Sequence, residues 1–314
     1  MSDRYQAIIV GSGVGGLAAA ERLTAYGLRV LVIDDNPRPG GQLLRTPAGS
    51  RRHSRRSLVD RFKGRGHQLL ARLDRSKLTW LKSAQVLGIY PDRTLLVEAQ
   101  GGRVAEYRAA ALILATGARE RQVPFKGWTL PGVISTGAAQ ILLKAYGVLP
   151  GERPLVAGCS PLMLALAAQI VSGGGRVAAV LDESAITRKL RVFGAGAAIL
   201  PKLLEGATYL TRILAARVPL QQQVRVVAAR GKTALEAVVV ADVDVSGRIR
   251  QGTERVYPAD TLAIGHGFVP NIELPRQAGC RVAHAVGRGG WYVEVKETME
   301  TSLPGIYAVG ETTG

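Results

Sequence analysis

Residues 7–34 constrain the possible folds of this chain more than any other stretch. The apolar run Ala7-Ile8-Ile9-Val10 opens directly into Gly11-Ser12-Gly13-Val14-Gly15-Gly16. A helical pattern follows (Leu17, Ala20, Leu23, Thr24) and stops at Gly27; a second apolar run, Val30-Leu31-Val32-Ile33, ends on Asp34. Strand, glycine turn, helix, second strand and terminal acid together make the dinucleotide fingerprint in its structural context. Gly11 permits the tight turn, Gly13 lets a pyrophosphate approach the backbone, and Gly16 lets helix and strand pack closely. Amides of the turn, with Ser12 among them, and the positive end of the helix dipole face the phosphate charge. Asp34 is then placed to accept hydrogen bonds from the adenosine ribose hydroxyls.

At 314 residues the chain is long enough for two domains, each with its own core. Its 41 Lys and Arg against 24 Asp and Glu give a formal charge of +17, which raises nucleic acid as a partner. No aromatic residues interleave with the basic ones, however, and no nucleic-acid motif is present, so a solvated Arg-rich surface is expected, or a face for an acidic partner protein. No apolar run approaches the roughly 18 residues of a membrane span. A first strand starting this early leaves no room for a signal peptide. Cys159 and Cys280 lie far apart and in no CxxC, which suits a reducing compartment and supplies no metal site. A cytoplasmic protein is expected.

After Asp34 the turn formers Asp35-Asn36-Pro37-Arg38-Pro39-Gly40-Gly41-Gln42 bring Gly41 amides and the two-edged Gln42 amide near a ligand held at the first turn. The segment 50–65 is densely basic and reads as a solvated connection, with docking of an acidic partner as its alternative. Strands are expected near Leu78–Leu81, Gln85–Tyr90 and Thr94–Glu98, a turn at Gly101-Gly102, then a central strand Ala110–Ala115 ending in Thr116-Gly117. The stretch from Gln122 to Pro131 reads as a hinge. A second strand–turn–helix–strand unit runs from Pro154 to Asp182, which suggests internal duplication. Its fingerprint is altered: Ser160 and Met163 stand where the second and third glycines belong. Either a nicotinamide nucleotide binds there or the fold is kept as scaffold. Thr187–Val218 reads as a basic helical excursion, Val224–Ala229 and Leu235–Val245 as antiparallel strands, and the run Thr301–Glu311 as a buried strand ending in Gly310-Glu311, suited to a polyol chain. His266 and His284 have no paired carboxylate or nucleophile nearby in sequence and are read as satisfied histidines. No catalytic side chain is assigned.

Taken in order, GSGVGG with Asp34, GGQL at 40–43, ATGA at 115–118, AIG at 263–265 and TSLPGIYAVGE at 301–311 resemble the two-dinucleotide-domain flavoproteins that include thioredoxin reductase. Asn36–Gln42, Ala115–Arg121 and Trp128–Val133 carry a nearer likeness, to the A-type subunits of opine oxidase, hydrogen cyanide synthase and dye-linked proline or hydroxyproline dehydrogenases.

That resemblance implies an α/β fold of two Rossmann-like three-layer domains, the second inserted into the first. The boundaries expected are 1–125 for the first part of an FAD-binding domain, 126–150 for a hinge, 151–264 for an inserted NAD(P)-binding-like domain, and 265–314 for a returning segment, incomplete at its C-terminus. FAD would be held by Gly11, Ser12, Gly13 and Gly16 at the pyrophosphate and by Asp34 at the ribose. Gly41 and Gln42 would lie on the flavin side, the Val86 backbone at adenine, Thr116-Gly117 beside the adenine–ribose end, and Gly310-Glu311 on the ribityl chain. The implied role is electron transfer beside a second, amine-oxidising flavoprotein subunit, together with a small iron–sulfur subunit. A stand-alone NAD(P)H-dependent flavin reductase and a non-catalytic scaffold subunit stay open as alternatives. The family continues past Gly–Glu with a helix aimed at the flavin, whereas this sequence stops at Gly314. The missing CxxC speaks against disulfide reduction.

Overall fold

A computed structural model describes residues 5–44, 66, 68–184 and 200–314, with side chains of the last segment from 204 onward. The basic segment 50–65 and residues 187–199 of the expected excursion lie outside the described residues. The chain divides into two compact units: residues 1–45, 59–119 and 268–314 form unit 1, and residues 46–58 and 120–267 form unit 2.

Unit 1 begins with β1 (Ala7–Val10), α1 (Val14–Ala25), β2 (Val30–Asp34) and β3 (Leu78–Lys82). The meander β4 (Gln85–Ile89), β5 (Thr94–Ala99) and β6 (Arg103–Arg108) leads to β7 (Ala111–Leu114). β3, β2, β1 and β7 lie side by side in parallel. All residues of β1 and β2 are buried, as expected of strands covered on both faces. The period-two alternation then sorts side chains between two cores. Ala7, Ile9, Val30, Val32 and Ile113 meet Leu17 and Ala20 of α1. Ile8, Val10, Leu31, Ile33, Leu112 and Leu114 meet Val86, Ile89, Leu95 and Val97 of the meander. The result is a three-layer α/β sandwich. β6 was not expected from the sequence: its residues are almost all exposed, and an edge strand needs no apolar alternation to mark it.

Unit 2 repeats the plan with β8 (Val133–Ser135), α2 (Thr136–Ile141), β9 (Pro154–Gly158), α3 (Leu162–Ser172), β10 (Ala179–Asp182) and α4 (Leu200–Ala215). Next come β11 (Leu220–Gln222), a second meander of β12 (Val224–Arg230), β13 (Ala237–Asp242) and β14 (Arg255–Pro258), and finally β15 (Thr261–Gly265). The parallel sheet runs β11-β10-β9-β15-β8. One face packs on the second meander through Leu155, Leu181 and Leu262 against Val226, Val238 and Val240. α3 buries Met163, Leu166, Ala167 and Ile170. Residues 126–150, expected as a connecting hinge, hold the edge strand β8 and then α2, which continues as a wider π turn over Leu142–Tyr146.

The chain returns to unit 1 with α5 (Glu273–Gln277), the hairpin β16 (Val282–Ala285) and β17 (Gly290–Val293), and β18 (Ile306–Ala308), which joins its sheet beside β7. The element orders in the two units match, except that the fifth strand of unit 2 precedes its sheet and that of unit 1 follows everything else. This is a pair of Rossmann-like domains with the second inserted into the first.

Candidate functional site

In unit 1 the register aligns Val10 with Ile33 and Leu114, so Gly11, Asp34 and Ala115 meet just past the carboxyl edge of the sheet. Gly11 turns the chain at φ +99°, and a Cβ there would stand 2.3 Å from the Ala115 carbonyl oxygen. A Cβ on Gly16 would stand 2.0 Å from the Gly11 carbonyl oxygen, so helix and strand touch there through backbone. Both glycines are demanded by the protein itself. Gly13 is different. It caps α1 in an extended conformation that any residue adopts (φ −64°), and a Cβ added there would meet nothing within 4 Å. Neither torsion nor packing within the chain requires a glycine there.

Two other segments close around this turn. Gly40 N–H donates to the Ser12 carbonyl at 2.8 Å, and a Cβ on Gly41 (φ +55°) would lie 2.8 Å from Gly13 Cα. A Cβ on Gly15 would sit 3.4 Å from Gly310, itself at φ +77°. Gly41 thus abuts the turn at Gly13, and Gly310 abuts the start of α1 at Gly15. Gln42 and Glu311 are exposed nearby in sequence to Gly41 and Gly310.

Asp34 is buried, and its carboxylate is shared by four donors. Oδ2 accepts the Ser12 N–H at 2.5 Å and the Ser12 hydroxyl at 2.6 Å. Oδ1 accepts the Asn36 N–H at 2.8 Å and its side-chain amide at 3.1 Å. Sequence reasoning singles out Asp34 and Ser12 separately and misses Asn36. An acid two residues before an Asn in a turn is the signal that would have found it. One residue on, a cleft of about 290 Å³ opens between Asp35, Ser83–Gln85, Glu98 and Gly101-Gly102. Val86 borders that run, with its side chain in the core and its backbone opposite Val97 across a bulge.

Thr116 is already occupied: its hydroxyl donates to the Asn271 carbonyl at 2.8 Å, and Asn271 Nδ2 donates back to the Thr116 carbonyl at 2.9 Å. Gly117 (φ +69°) has open space where a Cβ would be. His284 stacks edge-on against Trp291 at 5.3 Å, and His266 Nε2 lies 3.6 Å from Glu183 Oε2. Neither cysteine forms a disulfide; Cys159 is exposed and Cys280 buried, where burial pushes its thiol up. No group of three or more metal-ligating side chains occurs among the described residues, and none of the described helices is long and apolar enough to cross a membrane.

In unit 2 the counterparts are Gly158, Asp182 and Gly265, paired in register. Gly158 (φ +128°) repeats Gly11, since a Cβ there would stand 2.0 Å from the Gly265 carbonyl oxygen. Asp182 accepts from the amide and hydroxyl of Ser184, as Asp34 does from Asn36. The bend between differs: Ser160 and Pro161 fill it, and the Met163 side chain is buried.

A family model described as pyridine nucleotide-disulphide oxidoreductase matches residues 5–314. The chain belongs to this family. This oxidoreductase is 32% identical over 323 residues to the A-type subunit of opine oxidase from Rhizobium meliloti, covering 100% of this chain and 60% of that one. It is 32% identical over 318 residues to the HcnB subunit of hydrogen cyanide synthase from Pseudomonas aeruginosa, covering 98% and 66%. Among solved structures it is similar to the thioredoxin reductase of T. acidophilum (TM-score 0.69, 18% identity, 100% and 91% covered). The chain therefore spans about two thirds or less of the length of these curated relatives.

Proposed function

We propose that this oxidoreductase is the FAD-binding, electron-transferring subunit of a heteromeric dehydrogenase for amines, opines or imino acids. The observation that carries the cofactor assignment is Gly13, a glycine that neither backbone torsion nor packing demands, standing at the helix end where a diphosphate needs access. The pyrophosphate sits at the turn of Gly11, Ser12, Gly13 and Gly16: Gly13 gives it access, Gly11 and Gly16 shape the turn, and Ser12 braces it through its two bonds to Asp34. Asp34 takes the ribose by exchanging one of its side-chain donors for a sugar hydroxyl. The cleft beside Asp35 and Ser83–Gln85, with the Val86 backbone, receives adenine. Gly41, Gln42, Gly117 with its neighbour Thr116, and Gly310 with Glu311 border the rest. FAD, when bound, supplies reversible uptake of an electron pair; the chain's own residues orient it and keep water from it.

Similarity to subunits of opine oxidase and hydrogen cyanide synthase supports the heteromeric role. The partner in this reading is a second, amine-oxidising flavoprotein, while a small iron–sulfur subunit completes the electron path. The same reading has the complex working in the cytoplasm. The test is the visible spectrum and FAD content of the purified chain, followed by pull-down from the native host. Stoichiometric FAD and a co-purifying flavoprotein are expected. A colourless chain that refuses excess FAD would overturn the cofactor assignment, and a yellow chain that stays monomeric and inert with every amine donor would overturn the proposed role in a complex.

A further inference from the structure

The two sheets end alike, yet their carboxyl edges differ chemically. In unit 1 the helix α1 begins three residues after Gly11, at Val14; in unit 2 the matching helix α3 begins four residues after Gly158, at Leu162, behind Pro161. Pro161 offers no N–H. Two of the amides that follow it are spent on Ser160: Leu162 N–H donates to its Oγ at 3.3 Å and Met163 N–H to its carbonyl at 3.1 Å. The Ser160 side chain thus stands where unit 1 leaves space at Gly13.

The rest of that edge is filled by the chain's own charges. Glu183 follows Asp182 directly, and both Nε and Nη2 of Arg225 donate to its Oε1, the first at 2.8 Å. His266, following Gly265, faces its other oxygen. Just past the end of β8, the Thr136 hydroxyl and, at 2.7 Å, the Gly137 N–H donate to Glu120, so a carboxylate already sits on the first turn of α2. An incoming pyrophosphate would meet two carboxylates, Glu120 and Glu183. Arg225 is committed to one of them.

We infer that the carboxyl edge of the unit 2 sheet is closed to dinucleotides by the Ser160-Pro161 bend and the Arg225–Glu183–His266 cluster, so that no nicotinamide nucleotide reduces this protein from that unit. The Rossmann-like fold of unit 2 is kept as scaffold while its ligand edge has been turned into an internal ion cluster. The inference concerns residues of unit 2 alone and stands or falls separately from FAD binding in unit 1.

The test is equilibrium dialysis of the purified chain against NAD+ and NADP+, run in parallel on the wild type, on Gly13→Val and on the double variant Ser160→Gly with Pro161→Val. Gly13→Val is the unit 1 control, checked for folding by circular dichroism, since a Cβ at that position meets nothing within 4 Å. Neither nucleotide is expected to bind Gly13→Val at roughly millimolar concentration. The double variant, which restores the Gly–Val pair of unit 1, is expected to gain affinity at least about tenfold over the wild type. Micromolar binding that persists in Gly13→Val would overturn the inference. Binding lost in Gly13→Val would put the nucleotide in unit 1, leaving the inference standing and counting against the FAD assignment. A double variant that folds, by circular dichroism, and gains nothing would overturn the role given to the bend.

Discussion

Ser12 donates both its backbone N–H and its hydroxyl to one oxygen of Asp34, at 2.5 and 2.6 Å, across the top of the first sheet. The contact couples the glycine turn to the end of β2, so the two parts of the fingerprint are one hydrogen-bonded unit. With Asn36 on the other oxygen, all of the roughly four acceptor positions of a carboxylate are in use. Ribose binding is therefore an exchange of donors, and the acid is also a structural clamp.

Asp34→Ala should consequently weaken FAD binding and lower thermal stability together. Loss of hydrogen bonds to a charged acceptor sets the scale at about 1.5–3 kcal/mol. Fluorescence titration of FAD and a melting curve on the FAD-free chain measure the two effects. Loss of affinity with no change in the FAD-free melting temperature would show that the Ser12 clamp contributes nothing to the fold.

Gly13 and Gly16 make opposite predictions. A Cβ at position 13 meets nothing within 4 Å, so Gly13→Val should melt like the wild type yet lose FAD affinity by roughly a hundredfold or more, about 3 kcal/mol. A Cβ at position 16 lands 2.0 Å from the Gly11 carbonyl oxygen, so Gly16→Ala should destabilise the chain, by about 1–3 kcal/mol or more since backbone must move. Denaturation curves and bound FAD per chain separate the two. Equal melting of both variants would refute the assignment.

Glu183 supplies a pH dependence. Burial raises its pKa, but hydrogen bonds from His266 and Arg225 outweigh it and hold the carboxyl at about 2, below its ordinary 4.5. A folded value below the unfolded one means that the stabilisation is present above pH 4.5 and is lost as pH falls toward 2. Its size is on the order of 3 kcal/mol for the largely buried group. Glu183→Gln should flatten the acid limb of the stability curve in that window. An unchanged acid limb would place the loss of stability on other groups.

The two thiols should separate by accessibility. Cys159 is exposed, whereas Cys280 is buried and its thiol pushed up by burial, with the Thr301 hydroxyl at 3.5 Å as partner. A chromogenic disulfide reagent at neutral pH should modify Cys159 in the native chain and Cys280 only on unfolding. Removal of the fast phase by Cys159→Ser checks the order; two fast equivalents in the native wild type would contradict it.

The sequence carried the parallel strands well, because β1, β2, β7, β9, β10 and β15 are short, largely buried apolar runs. The outer strands of both meanders, Arg103–Arg108 and Arg255–Pro258, were invisible, since their largely exposed residues carry no alternation. Val133–Ser135 was hidden by length, three residues between a proline-rich stretch and a helix. At the site, glycines and the acid could be read because each is tied to a local torsion or strand end. Arg225 and Glu120 could not, because their partners lie far along the chain and are set by tertiary register; Asn36, two residues from its acceptor, was legible in the turn and missed. The Glu183–Arg225 pairing spans 42 residues of chain, a distance over which spacing carries no information.

The order of strands also sets an order of assembly. Unit 2 has its edge strand β8 ahead of its core, so all five strands of its sheet are in hand by Gly265. Unit 1 obtains its fifth strand, Ile306–Ala308, only afterwards, along with the Gly310 that abuts Gly15. On the ribosome the later-starting module is then the first able to mature, and the glycine turn made at the outset waits for residues 306–310 before these neighbours reach it.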